Sequence, residues 1–456
     1  MAPVGSPESF AAALRAGADS IYFGIENLNM RAHSASTFTI DDLKRIAEEC
    51  RLCGVKSYLT VNTIIYGEDL PLMRQILDAA KEAGISAVIA SDIAVMTYCN
   101  QIGQEVHLST QLNISNIEAL KFYAQFADVV VLARELNMDQ VAEIHRQIEE
   151  QHICGPKGEL IRIEMFCHGA LCMAISGKCY LSQSNWGRSA NRGECMQLCR
   201  RRYTVRDAET DTELDIENKY IMSPRDLKTI RFIDRMMEAG VRVFKIEGRA
   251  RGPEYVDTVV RCYKEAIDAV LSDQQPPQPP RGSNNAGGQV MEHPLSYSSD
   301  GGSNNAGGQV MERPLSYSPS GVRGAFCDAA KDAWDERLSR VFNRGFWDGY
   351  YQGQTIMEYT DKPGSVATEK KVYCAKGIRY YSKLQVAEFK VEACPLHVGD
   401  KVLITGPTTG AYFTTIEEIR YDLKPVEEAQ QGWRISIPVD RKIRPSDKLF
   451  VLVPNS

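Results

Sequence analysis

VKSYLTVNTIIYGEDLPLMRQILDAAKEAGISAVIAS, residues 55–91, reads as one strand, helix and strand in succession, and the recurrence of that unit decides the fold. Val55 to Asn62 and Ala87 to Ser91 are short runs rich in β-branched and apolar residues. DLPLMRQILDAAKEAG between them repeats its apolar residues three and four apart, as an amphipathic helix does. Asp69 can cap that helix, Pro71 suits its first turn, and Gly84 suits its end. Working outward, further strand candidates are Ala2 to Val4, Ser20 to Gly24, Glu105 to Gln111, Val129 to Glu135, Ile161 to His168 and Val243 to Arg249, eight with the first two. Helix-like stretches such as PESFAAALRAG and TIDDLKRIAEECRLCG lie between most of them, with Thr39 placed to cap the second and Gly54 to stop it. The class is α/β. Eight strands alternating with helices over about 270 residues fit a (β/α)8 TIM-like barrel better than a doubly wound sheet.

Such barrels carry their chemistry where the strands end. The polar residues at those ends are Asn62, Gln111, Asn113, Arg134, Glu135, His168, Lys245, Glu247 and Arg249. Any one of them could serve as a helix cap or a loop ion pair, but nine on one rim point to a site. Directly after the seventh strand come Cys172, Cys179, Cys195 and Cys199, two pairs joined by a loop and set among glycines and polar residues. A core would supply Leu, Val and Ile there instead. Thiolates at that density select zinc or an iron-sulfur cluster. Arg188, Arg192, Arg200, Arg201, Arg202 and Arg206 flank the cysteines with only Glu194 among them, so the region should attract anions. Cys167 is a further thiol next to His168, although alternation sends the two to opposite strand faces. Cys50 and Cys53 lie in a helix-like segment, where packing explains them better than redox chemistry.

The chain has 456 residues, 43% hydrophobic and 25% charged, with a formal net charge of −6. No apolar run reaches the length of about 18 residues that a membrane helix needs, so no membrane partner is expected. The acidic balance argues against broad, non-specific nucleic-acid binding while leaving room for a local basic patch. Thirteen cysteines in a long chain whose start, MAPVGSPESF, lacks a basic and then apolar leader lead us to expect a reduced, cytoplasmic protein. HExxH, GxSxG, a phosphate loop ending in GK[ST] and GxGxxG are all missing, which weakens the corresponding enzyme classes.

The expected divisions are a TIM-like barrel over 1–270, with the cysteine insertion at 172–206, and a linker over 271–322. A helical and aromatic connector follows over 323–365, then a small β-barrel domain over 366–456. The linker holds GSNNAGGQVMEHPLSYSSDG (282–301) followed by GSNNAGGQVMERPLSYSPSG (302–321), differing only at His293/Arg313, Ser299/Pro319 and Asp300/Ser320. Both copies are too polar to fold alone.

FCHGALCMAISGKCYLS (166–182) resembles the signature of the collagenase-like peptidase family U32. STQLN, LARE, MSPRDL (222–227) and KIEGR are similar to its other characteristic blocks. The resemblance covers most of 1–270 and extends more weakly into the C-terminal domain. It implies an iron-sulfur enzyme of RNA hydroxylation, in the layout of the branch that forms 5-hydroxyuridine at the tRNA wobble position with prephenate as a small carboxylate co-substrate. Cys172, Cys179, Cys195 and Cys199 would hold a 4Fe-4S cluster, with zinc the alternative. His168, Lys245, Glu247 and Arg249 would serve the chemistry, and Asn62, Gln111, Asn113, Arg134 and Glu135 the substrate. A collagenase-like peptidase, an rRNA cytidine hydroxylase and a non-catalytic iron-sulfur or RNA-binding factor are the competing readings.

Overall fold

The computed structural model describes residues 1–31, 38–204, 206, 209–210, 220–274 and 324–455, so the tandem repeat lies outside the described residues. Seven strands pair parallel in sequence order: β1 (Ala2–Pro3), β2 (Ser20–Phe23), β3 (Lys56–Val61), β4 (Ala87–Ala90), β5 (Val106–Leu108), β6 (Val129–Val131) and β7 (Arg162–Gly169). After a short strand β8 (Asp226–Lys228), the strand β9 (Val241–Ile246) pairs parallel with β7. The Met1 amino group donates to the Phe244 carbonyl at 2.7 Å, and the Ile246 N–H donates to the Met1 carbonyl at 3.2 Å. These bonds bring the first and last parallel strands together. All eight strand candidates are present, and their ends fall earlier than expected for β5 and β6 because Thr110–Leu112 turns into a 3-10 helix and the chain after Val131 leaves the sheet.

Helices α1 (Pro7–Arg15), α2 (Asp42–Leu52), α3 (Leu70–Ala83), α4 (Ile93–Ile102), α5 (Ile117–Ala124) and α6 (Met138–Glu150) connect the first seven strands. Two expected caps are arranged differently. Asp42 accepts from the Thr39 backbone and hydroxyl, so Thr39 is the donor and not the cap of α2. Asp69 accepts from the Tyr66 N–H and pairs with Arg192, leaving α3 without a side-chain cap. In the cysteine segment lies α7 (Leu181–Trp186), and α8 (Ile233–Glu238), α9 (Pro253–Gln274) and α10 (Asp328–Arg340) complete the helices. A strand β10 (Phe346–Trp347) runs parallel to β8, which meets β7 antiparallel at His168 and Gly169.

Strand alternation separates two environments. Ile21, Phe23, Leu59, Val61, Val88 and Leu108 face the helices and join the main core. The opposite face carries Tyr22, Tyr58 and Ile89 beside the buried polar side chains of Thr60, His107, Glu164 and Lys245. A barrel-type interior is usually filled by layers of Val, Ile and Leu. Buried charge in that position is costly unless paired, which directs attention to function.

The C-terminal region forms β11 (Glu369–Tyr381), β12 (Val386–Val391), β13 (Leu396–His397), β14 (Lys401–Gly406), β15 (Gly410–Thr415), β16 (Ile419–Tyr421), β17 (Lys424–Val426), β18 (Glu428–Ala429), β19 (Arg434–Pro438) and β20 (Lys448–Pro454). Eight of these make an antiparallel sheet in the order β15-β14-β20-β11-β12-β19-β16-β17, and β13 pairs with β18. Among the described residues the end strands β15 and β17 do not pair with each other, so the expected small barrel is a sheet with two ends. Phe389, Val391, Ile404, Ile435 and Leu449 form its own core. The sheet docks on α1 through β15: Gly410 has φ +70 and a Cβ there would lie 2.8 Å from the Ala12 nitrogen, so only glycine fits. The Glu392 and Ala393 N–H groups both donate to the Cys374 carbonyl, folding the chain back after β12 and bringing Cys394 beside Cys374, with their α-carbons 4.8 Å apart.

Candidate active site

The carboxyl ends of the parallel strands open into a cavity of about 200 Å³. Six of the nine rim residues line it: Asn62 after β3, Gln111 after β5, Arg134 after β6, Lys245 on β9, and Glu247 and Arg249 just beyond it. Cys172, Cys179, Cys195 and Cys199 line the same cavity. Burial pushes the Cys199 thiol up, Arg200 pulls it down, and the other three cysteines push it up again, so the four sulfurs lie in one another's field. Among the described residues no group of three or more His, Cys, Asp or Glu could hold a single metal ion. A lone zinc at about 2.3 Å from each sulfur would need the thiolates within about 4 Å of one another.

The cations of the cavity are individually fixed. Lys245 Nζ donates to Glu164 Oε1 at 2.6 Å, both groups being almost wholly buried, and its ammonium stands 4.9 Å from the Tyr22 ring centre. Burial works to raise the Glu164 carboxyl, but Lys245 and His107 override it and hold the group down at about 2. The Arg249 guanidinium donates to Asn29 Oδ1 at 3.1 Å and Thr60 Oγ1 at 2.8 Å, while its Nε has no hydrogen-bond partner. Burial lowers Arg249 to about 10, which leaves it a cation at neutral pH. The Arg134 guanidinium lies 3.8 Å from the Phe166 ring centre and donates to the Ala170 carbonyl, and its buried Nε is likewise unpartnered. Glu247 accepts from Arg31 at 2.8 Å; burial opposes ionisation, yet Arg31 holds the carboxyl at about 2. Asn62 donates to the Ser109 hydroxyl at 3.2 Å, and Ser109 in turn donates to Gln111 Oε1. Among the described residues, seven basic side chains face the cavity against Glu247 as its single carboxylate. Such a wall binds carboxylate or phosphate oxygens by charge-assisted hydrogen bonds.

Three rim residues are elsewhere. His168 is sealed among Tyr255, Tyr263 and Phe346, whose rings lie 5.5–5.9 Å away, and Tyr263 Oη is 3.4 Å from its Nδ1. The reason is an irregularity in the β7 and β9 register between Phe166 and His168. Glu164 and Phe166 point inward, and the shift takes His168 out of that alternation. Burial, reinforced by Lys228, drives its imidazole down to about 3. Asn113 takes a left-handed conformation, φ 53, and ends the 3-10 turn after β5, and Glu135 is exposed. Cys167 is fully buried, donates to the Lys245 carbonyl, and is pushed by burial up to about 12. Gly169 adopts φ +101 with its α-carbon so close to the Glu247 backbone that a Cβ would lie 2.4 Å from the carbonyl oxygen, locking the two site loops together.

Of the flanking arginines, Arg200 lines the cavity and donates to the carbonyls of Leu171 and Pro224. Arg188 pairs with Glu194 and Arg192 with Asp69, so these two shape the insertion. Sequence reasoning missed Tyr22, Arg31 and Arg344. The NLNMR stretch after β2 occupies a strand end and could have given Arg31, whereas Arg344 arrives from the connector after α10 with no local signal.

Fold and site together define an α/β protein with a thiol-lined, cationic cavity where parallel strands end. The chain belongs to peptidase family U32, whose model matches residues 5–296. It is 59% identical over 450 residues to a collagenase of Porphyromonas gingivalis, covering 99% of this chain and 96% of that one. It is 34% identical to tRNA hydroxylation protein P1 of Bacillus subtilis, covering 60% and 64% of the two chains. The 23S rRNA 5-hydroxycytidine C2501 synthase of Escherichia coli is also 34% identical, over 57% of this chain and 37% of that one.

Proposed function

We propose that this protein hydroxylates RNA with an iron-sulfur cluster, taking a small carboxylate such as prephenate as co-substrate, and that its first candidate product is 5-hydroxyuridine at the tRNA wobble position. The observation that carries the reading is that four thiols and a wall of fixed cations share one cavity. Four cysteine thiolates are the ligand set that a 4Fe-4S cluster takes, with zinc the alternative. When bound, it would supply electron transfer. Arg134, Lys245 and Arg249 would hold the carboxylate: the unpartnered Nε atoms of both arginines leave donors to spare, and Tyr22 and Phe166 flank the ring-sized space. We read the parallel sheet as a (β/α)8 barrel joined through Met1, which puts every one of these groups on its carboxyl-end face.

The relatives named for tRNA and rRNA hydroxylation favour this reading, with rRNA cytidine as the second target. The relative named collagenase favours peptidolysis. A cysteine peptidase needs a thiolate beside a base. Cys167 and His168 offer a buried thiol near 12 and a buried imidazole near 3, neither of which ionises at neutral pH. Anaerobic purification tests the cofactor: broad visible absorbance that bleaches with dithionite, with about four irons per chain, is expected, and a colourless zinc protein that cleaves gelatin would overturn the proposal.

A further inference from the structure

We infer that a solvent-exposed row of four cations on the C-terminal sheet, Lys448, Lys376, Lys390 and Arg434, is a docking surface for the phosphate backbone of RNA. They stand on four adjacent strands, β20, β11, β12 and β19, and are register partners in turn: Lys376 opposite Lys448, Lys376 opposite Lys390, and Lys390 opposite Arg434. All four are exposed, and among the described residues none forms an ion pair.

Like charges directly opposite one another destabilise a sheet. Solvent-facing alternation requires polar residues at these positions, yet it does not require one sign four times over. Lysines often protect sheet edges from unwanted pairing. That explanation fails here, because the edges are β15 and β17 and the row crosses interior strands. Two carboxylates, Glu388 and Glu392, each lie two residues from Lys390; Glu388 stands opposite Arg379, and Glu392 accepts from the Tyr373 hydroxyl at 2.5 Å. From 366 to 456 Lys and Arg outnumber Asp and Glu fourteen to eleven, in a chain where the whole balance is 53 to 59.

Strands about 4.8 Å apart make this a line of cations roughly 14 Å long. A nucleic-acid strand carries one phosphate per about 3.4 Å of axis, so the row can meet several phosphates at once. An overall acidic protein then grips RNA at one place, on residues that do not line the cavity. The choice of RNA as the polyanion rests on the function proposed above; the row itself does not.

The test is fluorescence anisotropy of labelled tRNA with the full-length protein across salt concentrations. The variant is Lys376→Gln, Lys390→Gln, Arg434→Gln and Lys448→Gln combined. A control of equal charge change carries Lys44→Gln, Arg51→Gln, Arg74→Gln and Lys121→Gln. Four lost phosphate contacts should flatten the log affinity against log salt slope by about 3 and weaken binding at low salt by tens of fold. The control should change far less, and the melting temperature of the row variant should hold or rise as the repulsion is relieved. Equal loss in both variants, or a lowered melting temperature, would overturn the row. Row-dependent binding of phosphatidylserine vesicles or polyglutamate with none to tRNA would overturn RNA as the partner. Row-dependent tRNA binding alongside an unchanged nucleoside profile would uphold this surface and refute the proposed chemistry.

Discussion

Replacing Lys245 with methionine isolates the charge at the heart of the cavity. The substitution keeps the length of the side chain and leaves Glu164 buried with only His107, whose Nδ1 is 3.8 Å from Glu164 Oε2. Glu164 is held at about 2 against an ordinary 4.5. At about 1.4 kcal/mol per unit, that shift corresponds to about 3 kcal/mol at neutral pH. Removing one member of a buried pair costs about 3–5 kcal/mol on independent grounds. The sign of the pH dependence is also fixed. A depressed carboxyl stabilises fully above its unfolded value near 4.5, and the gain disappears as pH falls toward 2. In the variant burial dominates and raises the group, so the deficit is full at pH 7 and shrinks in acid. Urea unfolding of both proteins at pH 7 and pH 4, followed by tryptophan fluorescence, measures it. The double variant Lys245→Met, Glu164→Leu should recover most of the loss, since an apolar pair can replace a buried ion pair. A single-variant loss below about 1 kcal/mol, or one that grows in acid, would refute the reasoning.

Other expectations follow from the same geometry. Arg249→Met should weaken binding of prephenate about 10- to 100-fold by calorimetry, because a charge-assisted hydrogen bond is lost; Asn29 and Thr60 lose their bonds from Arg249 but keep their own to the Ile25, Glu26 and Phe23 carbonyls. Iodoacetamide should leave Cys167 unlabelled in the folded protein while labelling the apoprotein at Cys172 and Cys195, which are exposed. His168→Phe should gain acid stability. A histidine held at about 3 and normally near 6.5 costs stability as pH falls below 6.5, about 2 kcal/mol by pH 5, and the variant's unfolding midpoint should lack that slope.

Much of the fold was legible because helix and strand periods differ and the chain repeats the contrast eight times. What escaped was short or non-local. Asp226–Lys228 and Phe346–Trp347 are too brief to show a period of two, and they pair with each other across a long separation. The site was legible where a residue comes within three residues of a strand's end, as Asn62, Arg134, Glu247 and Arg249 do. His168 followed the same rule and still left the cavity, because one register shift on β7 reverses a facing that sequence alternation cannot detect. Glu164 and His107 were hidden for another reason. They sit mid-strand, where a charged residue reads as solvent-facing, and only the closeness of β5, β7 and β9 makes them a buried support for Lys245.

The most direct test of the central claim is nucleoside mass spectrometry of tRNA and rRNA from a deletion strain, alone and carrying the intact gene or its Cys172→Ala form. Loss of hydroxyuridine from tRNA, restored by the intact gene and not by Cys172→Ala, is the predicted result. Unchanged nucleosides in both RNA pools would contradict the account and turn it toward peptidolysis.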